Sequence, residues 1–518
     1  MSFLAGDILR RTARRLPKRA ALLFGDERLD YASLDGAADR FANALAARGL
    51  RKGDVLVILC SNRPEYAIAF YGAARRGVVV AHGSTRAVSK DLARILALTE
   101  ARAILIEAPL VPPLANALAQ APALETILVA GAGAGVAPAG AMRFEDFIDG
   151  AAATPPEIPL EETDPLGVNF TGGTTGLPKG VLVSHRARGQ SALAAIIEFG
   201  LEERDVAAMT TPLFHTAGLY VWFHAAIMCG ATAVLAPRWD VEHFIASVER
   251  HGVTAALLVP TQINDLVKHP SFDPVRLRSL KKINHAGMAM PTALIERIAA
   301  ALPGVALTDN YGASEACPLT ARRPGDLPAK AHSVGRPVFN VELEIRAPDG
   351  ARLARGETGE VVTRGEHVML GYYKDPEATE AAYRSGDGWL WTGDLGYLDP
   401  DGFLVLVDRS KDVIVQGGEN VFPAEIEQAL YRHPAVRECA AFGIPDERLG
   451  EVPAAHVALK LGMHATPEEL VEFCLGQLAR HKRPRLVKLV DDLPRSAVGK
   501  ILKREIRAQY WPARGPDA

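Results

Sequence analysis

The stretch Thr171-Gly-Gly-Thr-Thr-Gly-Leu-Pro-Lys-Gly180 places three glycines and three threonine hydroxyls ahead of one lysine. Glycines let a backbone approach an anion closely, and turned N–H groups form an anion nest. The hydroxyls of Thr171, Thr174 and Thr175 and the ammonium of Lys179 add donors. This is the composition of a polyphosphate-gripping loop. A Walker A loop would instead run Gly-Lys-Ser/Thr directly into a helix. In this chain Gly180 follows the lysine and Val181-Leu-Val-Ser184 reads as a strand, which disfavours a P-loop kinase or NTPase. A plain Gly/Thr turn is the alternative, and the ten-residue string outweighs it.

Further strings follow in order: Tyr311-Gly-Ala-Ser-Glu315, Gly371-Tyr-Tyr373, Thr392-Gly-Asp394, Asp408-Arg-Ser-Lys-Asp412, Gly417-Gly-Glu-Asn-Val-Phe-Pro423 and Pro494-Arg-Ser-Ala-Val-Gly-Lys500. With the Gly/Thr loop, they make the chain similar to the adenylate-forming enzymes, which include acyl-CoA synthetases, peptide-synthetase adenylation domains and luciferases. The resemblance runs from about Tyr31-Ala-Ser-Leu34 and Gly53-Asp54 to Lys500. It is specific for the family and much less so for the acid.

The resemblance implies two half-reactions. A carboxylate attacks the α-phosphorus of ATP, giving an acyl-adenylate and pyrophosphate; a thiol then displaces AMP to give a thioester. The first step needs no general base, because a carboxylic acid with a pKa of roughly 4–5 is ionised at pH 7. The difficulty is electrostatic, and positioned cations and donors should dominate.

Roles carry over by position as implications of the same resemblance. Thr171, Gly173, Thr174, Thr175, Gly176 and Lys179 correspond to the ATP phosphate loop, with Gly172 standing where the family usually has serine. Tyr311 corresponds to the residue packed on adenine, flanked by Asp309, Asn310 and Gly312. Ser314 keeps the hydroxyl of a frequent threonine, and Glu315 corresponds to the ligand of the Mg²⁺ that accompanies ATP. Asp394 corresponds to the ribose-hydroxyl acceptor and Arg409 to a second nucleotide contact. Lys411 occupies the hinge position, and Gly417 and Gly418 the passage of the CoA thiol. A plain Gly-Gly turn is the competing reading there. Lys500 corresponds to the adenylation lysine. In Pro212-Leu-Phe-His-Thr-Ala-Gly218, His215 corresponds to the gate residue. Ala217, Val221, His285, Ala286, Gly287 and Met288 fall on the acid-pocket segments; His285 and Met288 are atypical there. The expected substrates are ATP, CoA and a short to medium acid, branched or hydroxylated. The competing view of His285 has it pointing away, satisfied by backbone.

Elements must position these residues. Val55-Leu-Val-Ile-Leu59 and Thr254-Ala-Ala-Leu-Leu-Val259 read as buried strands, with Ala-rich helical stretches such as 34–48 between them. Asp349-Gly350 and Asp401-Gly402 are hairpin signals, so that about 338–407 reads as antiparallel β. Pro423 opens a helix, and Leu470, Val471, Cys474, Leu475 and Leu478 mark another. The expected fold is α/β. A large N-terminal domain, 1–408, holds α/β subdomains and a β-rich lobe; a small mobile α+β domain, 409–518, carries Lys500.

Composition sets the outer bounds. The chain has 518 residues, 48% hydrophobic and 23% charged, with 58 Lys plus Arg against 61 Asp plus Glu. That is an ordinary globular balance with no basic excess for nucleic acid. Five scattered cysteines show no CxxC pair, which fits a reducing compartment. Arg10, Arg11, Arg14 and Arg15 read as the solvated face of a first helix, because Ala20-Ala-Leu-Leu-Phe24 is too short for a signal peptide. No apolar run reaches the roughly 20 residues of a membrane span. A cytoplasmic protein without a membrane segment is expected. Residues 131–140 read as a low-complexity insertion and 511–518 as a frayed tail. The rival functions are a medium- or long-chain fatty or aryl acid–CoA ligase, an enzyme loading a carrier protein, and a catalytically silent binding protein. No carrier domain is visible after Tyr510, and the presence of Lys179, Glu315 and Lys500 argues against silence.

Overall fold

The computed structural model describes residues 2–131, 138, 140–171, 179–288, 290–495 and 501–511. They group into two compact units, Met1–Leu343 with Thr363–Leu390, and Glu344–Val362 with Trp391–Ala518. This grouping does not follow a cut at 408/409: residues 391–408 fall with the second unit.

The first unit is built on two mixed sheets. The eight-stranded sheet runs Gly371–Tyr372, Lys179–Ser184, Pro165–Thr171, Val79–His82, Val55–Leu59, Ala103–Glu107, Thr126–Ala130, Met142–Arg143. The Val55–Leu59 strand is buried at every position and pairs in parallel on both sides. A strand covered on both faces reads as one continuous apolar run. Its flanking helices are well terminated. Tyr31–Ala47 begins at Asp30, whose carboxylate accepts from the Ser33 N–H. Pro64–Arg76 starts on its proline and ends at Gly77 in the left-handed region.

The nine-stranded sheet runs Arg336–Pro337, Ala316–Arg322, Ala306–Ala313, Lys282–Ala286, Ala255–Leu258, Val206–Met209, Thr232–Leu235, Ala20–Phe24, Glu27–Asp30. Its inner strands are parallel, and Ala306–Ala313 folds back antiparallel on Ala316–Arg322. Open sheets of this kind bind ligands beyond the carboxyl ends of their strands. Residues 284–288 and 309–315 lie at those ends.

The second unit carries a four-stranded sheet, Glu342–Arg346, Gly359–Arg364, Leu390–Leu398, Leu404–Arg409, with the first strand starting just before the division. Its other sheet orders Glu419–Val421, Ile414–Gln416, Gly450–Leu459 and Val436–Asp446, with Leu486–Leu489 added in parallel to Gly450–Leu459. Helices Pro423–Tyr431 and Pro467–Leu475 pack on it through Ile426, Leu430, Leu470 and Cys474.

The α/β class is borne out, and so are the buried strands, the Asp401-Gly402 hairpin and the helix at Pro423. The stretch 338–407 is not one antiparallel region. Gly371–Tyr372 leaves it to pair with Lys179–Ser184, and Pro376–Ala382 is helical because Asp375 caps it and Pro376 starts it. Arg14 and Arg15 are exposed, whereas Arg10 is half-buried and paired with Asp39 at 2.6 Å. Residues 132–137, 139 and 512–518 lie outside the described ones. All five cysteines are free. No helix among the described residues is long and apolar enough to cross a membrane.

Phe41 anchors the first unit's core. It is fully buried, with ring centroids of Phe144 and Phe147 at 5.6 and 5.4 Å. Phe41→Ala is expected to cost about 3–5 kcal/mol, because the two neighbouring rings cannot close the cavity. Denaturant unfolding followed by tryptophan fluorescence measures it.

Candidate active site

The Gly/Thr loop begins and ends on paired strands. Thr171 and Lys179 are register partners in an antiparallel ladder, and Lys179–Ser184 continues as a strand, as expected from the sequence. Gly172, Gly173, Thr174, Thr175 and Gly176 lie outside the described residues. Lys500 does too, although its flanks are held together: Arg495 and Ile501 form an antiparallel bridge, and Leu502 N–H donates to the Pro494 carbonyl at 2.8 Å.

Two distant segments meet at Tyr372. The Lys179 Nζ stands 4.8 Å from the centroid of its ring, and its hydroxyl donates to Glu315 Oε1 at 2.9 Å. Ala313 pairs with Ala316, so Ser314 and Glu315 form the whole connection of this hairpin. Thr216, next to His215, donates to the Ser314 hydroxyl at 3.3 Å. Met369 N–H donates to the Glu315 carbonyl at 2.8 Å. Gly312 is required sterically: a Cβ there would lie 2.9 Å from Cys317 Cβ and 3.0 Å from the Ala316 carbonyl oxygen. Tyr372 and Thr216 were not singled out from sequence. Tyr372 sat inside a quoted string, but its partner is 57 positions away.

Glu315 is half-buried and has no ion-pair partner among the described residues. No group of three or more His, Cys, Asp or Glu able to hold a metal exists among them. A lone hard-oxygen carboxylate fits a magnesium ion that takes its remaining ligands from phosphates and water.

His285, Asp309 and Arg322 form a buried cluster beneath this hairpin. His285 Nδ1 is 3.2 Å from Asp309 Oδ1, and Arg322 Nη2 is 3.4 Å from both Asp309 Oδ2 and His285 Nε2. The His285 ring is therefore turned toward Asp309 and Arg322, although its Nδ1 makes no hydrogen bond among the described residues; a backbone partner is not what holds it. Asn310 Nδ2 donates to Asn284 Oδ1 and to the His285 carbonyl, at 3.1 and 3.2 Å. It braces two parallel strands. Burial pushes the Asp309 carboxyl up to about 7, against the opposing pull of Arg322. Burial, reinforced by Arg322, pushes His285 down to about 3. Arg322 was missed in the sequence because nothing local distinguishes it.

On the remaining acid-pocket segments, Val221 is buried in the π-helical stretch Ala217–Phe223, Ala217 and Met288 are half-buried, Ala286 is buried and Gly287 is exposed. His215 is half-buried, and its carbonyl accepts from Leu219 N–H at 2.9 Å, which starts that helical stretch.

In the second unit, Asp394 and Arg409 are register partners and are bonded Nε to Oδ1 at 2.8 Å. Lys411 is exposed in a short 3-10 turn, Ser410–Asp412. Gly417 and Gly418 have φ of 59° and 87° between strands Ile414–Gln416 and Glu419–Val421. That is a two-residue turn requiring two left-handed residues, which accounts for both glycines without a ligand.

Asp309 gives a pH prediction. Its folded pKa lies above its unfolded value, so the folded state binds the extra proton between about pH 4 and 7. Stability from this group is full below that window and lost as pH rises through it. Asp309→Asn removes the term. Unfolding measured from pH 4 to 8 should show the variant gaining on the wild type as pH rises, with the difference in proton uptake approaching one per molecule. His285 acts oppositely, its stability being lost as pH falls from about 6.5 toward 3.

Residues 9–373 match the model described as AMP-binding enzyme, and 425–500 that of the AMP-binding enzyme C-terminal domain. The chain is 34% identical to an indoleacetate–CoA ligase of Aromatoleum aromaticum, over 95% of each chain. It is 33% identical to a long-chain-fatty-acid–CoA ligase of Mycobacterium tuberculosis, over 98% of each. Among solved structures, the anthranilate CoA ligase AuaEII in complex with anthranoyl-AMP superposes with a TM-score of 0.89 at 28% identity, covering 98% of this chain and 97% of that one. Together with the converging Lys179, Tyr372 and Glu315, these matches show that the chain belongs to the AMP-binding, adenylate-forming enzyme family.

Proposed function

We propose that this protein is an ATP-dependent acid–CoA ligase that forms an acyl-adenylate and then the CoA thioester, releasing AMP and diphosphate. The observation that carries the proposal is the meeting of Lys179, Tyr372 and Glu315 at the base of the Gly/Thr hairpin. That arrangement offers a cation and a magnesium-ready carboxylate on either side of one ring, beside a loop rich in N–H and hydroxyl donors. The named relatives support the thioester product. Asp394 and Arg409 receive the ribose, Tyr311 the adenine, and Gly417-Gly418 the thiol passage. Lys411 is the proposed hinge of a C-terminal domain over 409–518, and the proposed role of Lys500 is to neutralise charge at the α-phosphate. The free cysteines suit a cytoplasmic location.

When magnesium is bound, it supplies charge neutralisation on the ATP phosphates. Glu315 holds it, Tyr372 orients that carboxylate, and Lys179 faces the same anion. The carboxylic acid enters as its anion, so no residue need remove a proton from it.

The acid we propose is short to medium in length. Met288 adds bulk where the family is usually small, and Val221, on another segment that the resemblance assigns to the pocket, is buried. The engagement of His285 with Asp309 and Arg322 takes away its support for a hydroxylated acid in particular. An aryl acid is the second reading, favoured by relatives named for indoleacetate and anthranilate. Both readings are tested by kcat/KM over propionate to palmitate together with indoleacetate and anthranilate. Met288→Ala is expected to move the optimum toward longer or bulkier acids. A wild-type optimum at palmitate would discard the short-acid reading.

Lys500→Ala is expected to slow acid-dependent ATP–pyrophosphate exchange by about 10²–10³-fold, the usual cost of losing one charge-assisted transition-state contact. Thioester formation from supplied acyl-adenylate and CoA should persist. Equal loss of both half-reactions in a folded variant would remove Lys500 from its role.

A further inference from the structure

Arg188 is fully buried and meets no carboxylate among the described residues. It sits in the first turn of helix His185–Phe199, which Ser184 caps by accepting from Ala187 N–H at 3.1 Å. That helix follows directly from the strand carrying Lys179, so the position of Arg188 is tied to the base of the phosphate loop. Its Nη2 donates to the Ser314 carbonyl at 2.5 Å, and its Nη1 lies 3.3 Å from Cys317 Sγ and 3.5 Å from Ser191 Oγ. Its guanidinium stands 5.1 Å from the centroid of the Tyr220 ring, and its Nε has no partner.

Tyr220 is itself fixed. Its hydroxyl bonds His82 Nε2 at 2.9 Å, and His82 Nδ1 bonds the Tyr66 hydroxyl at 2.7 Å. His82 stays neutral, since burial and the charge of Arg188 push it down to about 3. His82 is also the register partner of Asn169 in the strand that leads into the phosphate loop. Tyr66, His82, Tyr220 and Arg188 thus form a buried line from that strand to the Ser314 carbonyl.

A buried guanidinium without an anion is a net cost to folding. A neutral side chain would fill the space more favourably, so stability alone does not account for this one. What Arg188 does accomplish is geometric. Its fork grips the carbonyl before Glu315, while Met369 N–H grips the carbonyl after it and Tyr372 grips the carboxylate. Fixing the Ser314 carbonyl fixes the plane of the 314–315 peptide, and with it the direction of the Glu315 side chain.

We propose that Arg188 is a positioning residue for Glu315, holding the Ser314–Glu315 peptide so that the carboxylate is aimed for a magnesium nucleotide. The proposal rests on the reading of Glu315 as the magnesium ligand. Arg188 touches neither substrate nor metal.

The test uses the full chain and α,β-methylene-ATP, an analogue whose α–β bridge cannot be broken, so that it cannot transfer its adenylyl group to an acid. Its dissociation constant is measured calorimetrically over a range of free Mg²⁺, and in EDTA. Partners of a metal ligand typically govern metal affinity by about 10- to 100-fold. Arg188→Met should raise the Mg²⁺ midpoint by about that factor, and Arg188→Gln by less, because the amide can still donate to the Ser314 carbonyl. Neither variant should alter analogue affinity in EDTA, and neither should melt below the wild type, since each removes an unpaired buried charge. Glu315→Gln serves as the reference for the underlying reading. If it leaves the Mg²⁺ midpoint unchanged, the ligand reading fails and the proposal falls with it. If it shifts the midpoint while both Arg188 variants keep the wild-type value, only the proposal is overturned. Weakening that is equal with and without Mg²⁺, or loss of folded protein in both variants, would make Arg188 a structural residue and overturn the proposal as well.

Discussion

The hairpin between Ala306–Ala313 and Ala316–Arg322 leaves two residues outside its ladder, Ser314 and Glu315, and the first unit's site is arranged around them. A two-residue connection has little slack. Its polar groups are held from three parts of the chain: the Ser314 carbonyl by Arg188, its hydroxyl by Thr216, and the Glu315 carbonyl and carboxylate by Met369 and Tyr372. Three segments apart in sequence therefore have to fold correctly before one carboxylate is aimed. Such over-determination is what keeps a functional side chain within a fraction of an ångström of its working geometry.

Much of this was legible from local signals. The apolar run at Val55–Leu59 gives a buried strand, Pro423 and Pro260 open helices, and Asp401-Gly402 turns a hairpin. The site residues were legible because their strings matched a family in order. What stayed hidden was pairing over distance. Arg188 looks like an ordinary position of an amphipathic helix, yet its decisive contact is 126 residues away. Arg322 sits beside Arg323 with nothing to separate them, and only the fold buries one and leaves the other at the surface. His285 was read toward the acid because its neighbours line that pocket. The strand register turns its ring to Asp309 instead. A strand residue faces one side or the other of its sheet, and sequence position alone does not decide which.

Two of the buried polar groupings of the first unit solve the same problem differently. His285, Asp309 and Arg322 enclose one another, so the cost of removing charge from water is offset by mutual attraction and by a shifted proton on Asp309. Arg188 has only carbonyl, hydroxyl, thiol and ring neighbours. Among the described residues no carboxylate answers its charge, and its contacts serve to hold the Ser314 carbonyl in place.

The strand-to-strand form of the phosphate loop completes this picture. A loop that runs into a helix gains positive potential from the helix N-terminus. A loop between antiparallel strands has no such dipole behind it, so side chains must supply the charge. Lys179, opposite Thr171 at the root of the hairpin, is placed to do so. A direct bridge from Lys179 to Glu315 would neutralise both groups and spend the cation where no substrate sits. Tyr372 instead offers its ring face to the ammonium and its hydroxyl to the carboxylate. A cation–π contact is worth only about 0.5–1 kcal/mol at a wet site. The ring contact alone therefore adds little to what holds the ammonium, while Glu315 is bonded through the hydroxyl of the same tyrosine.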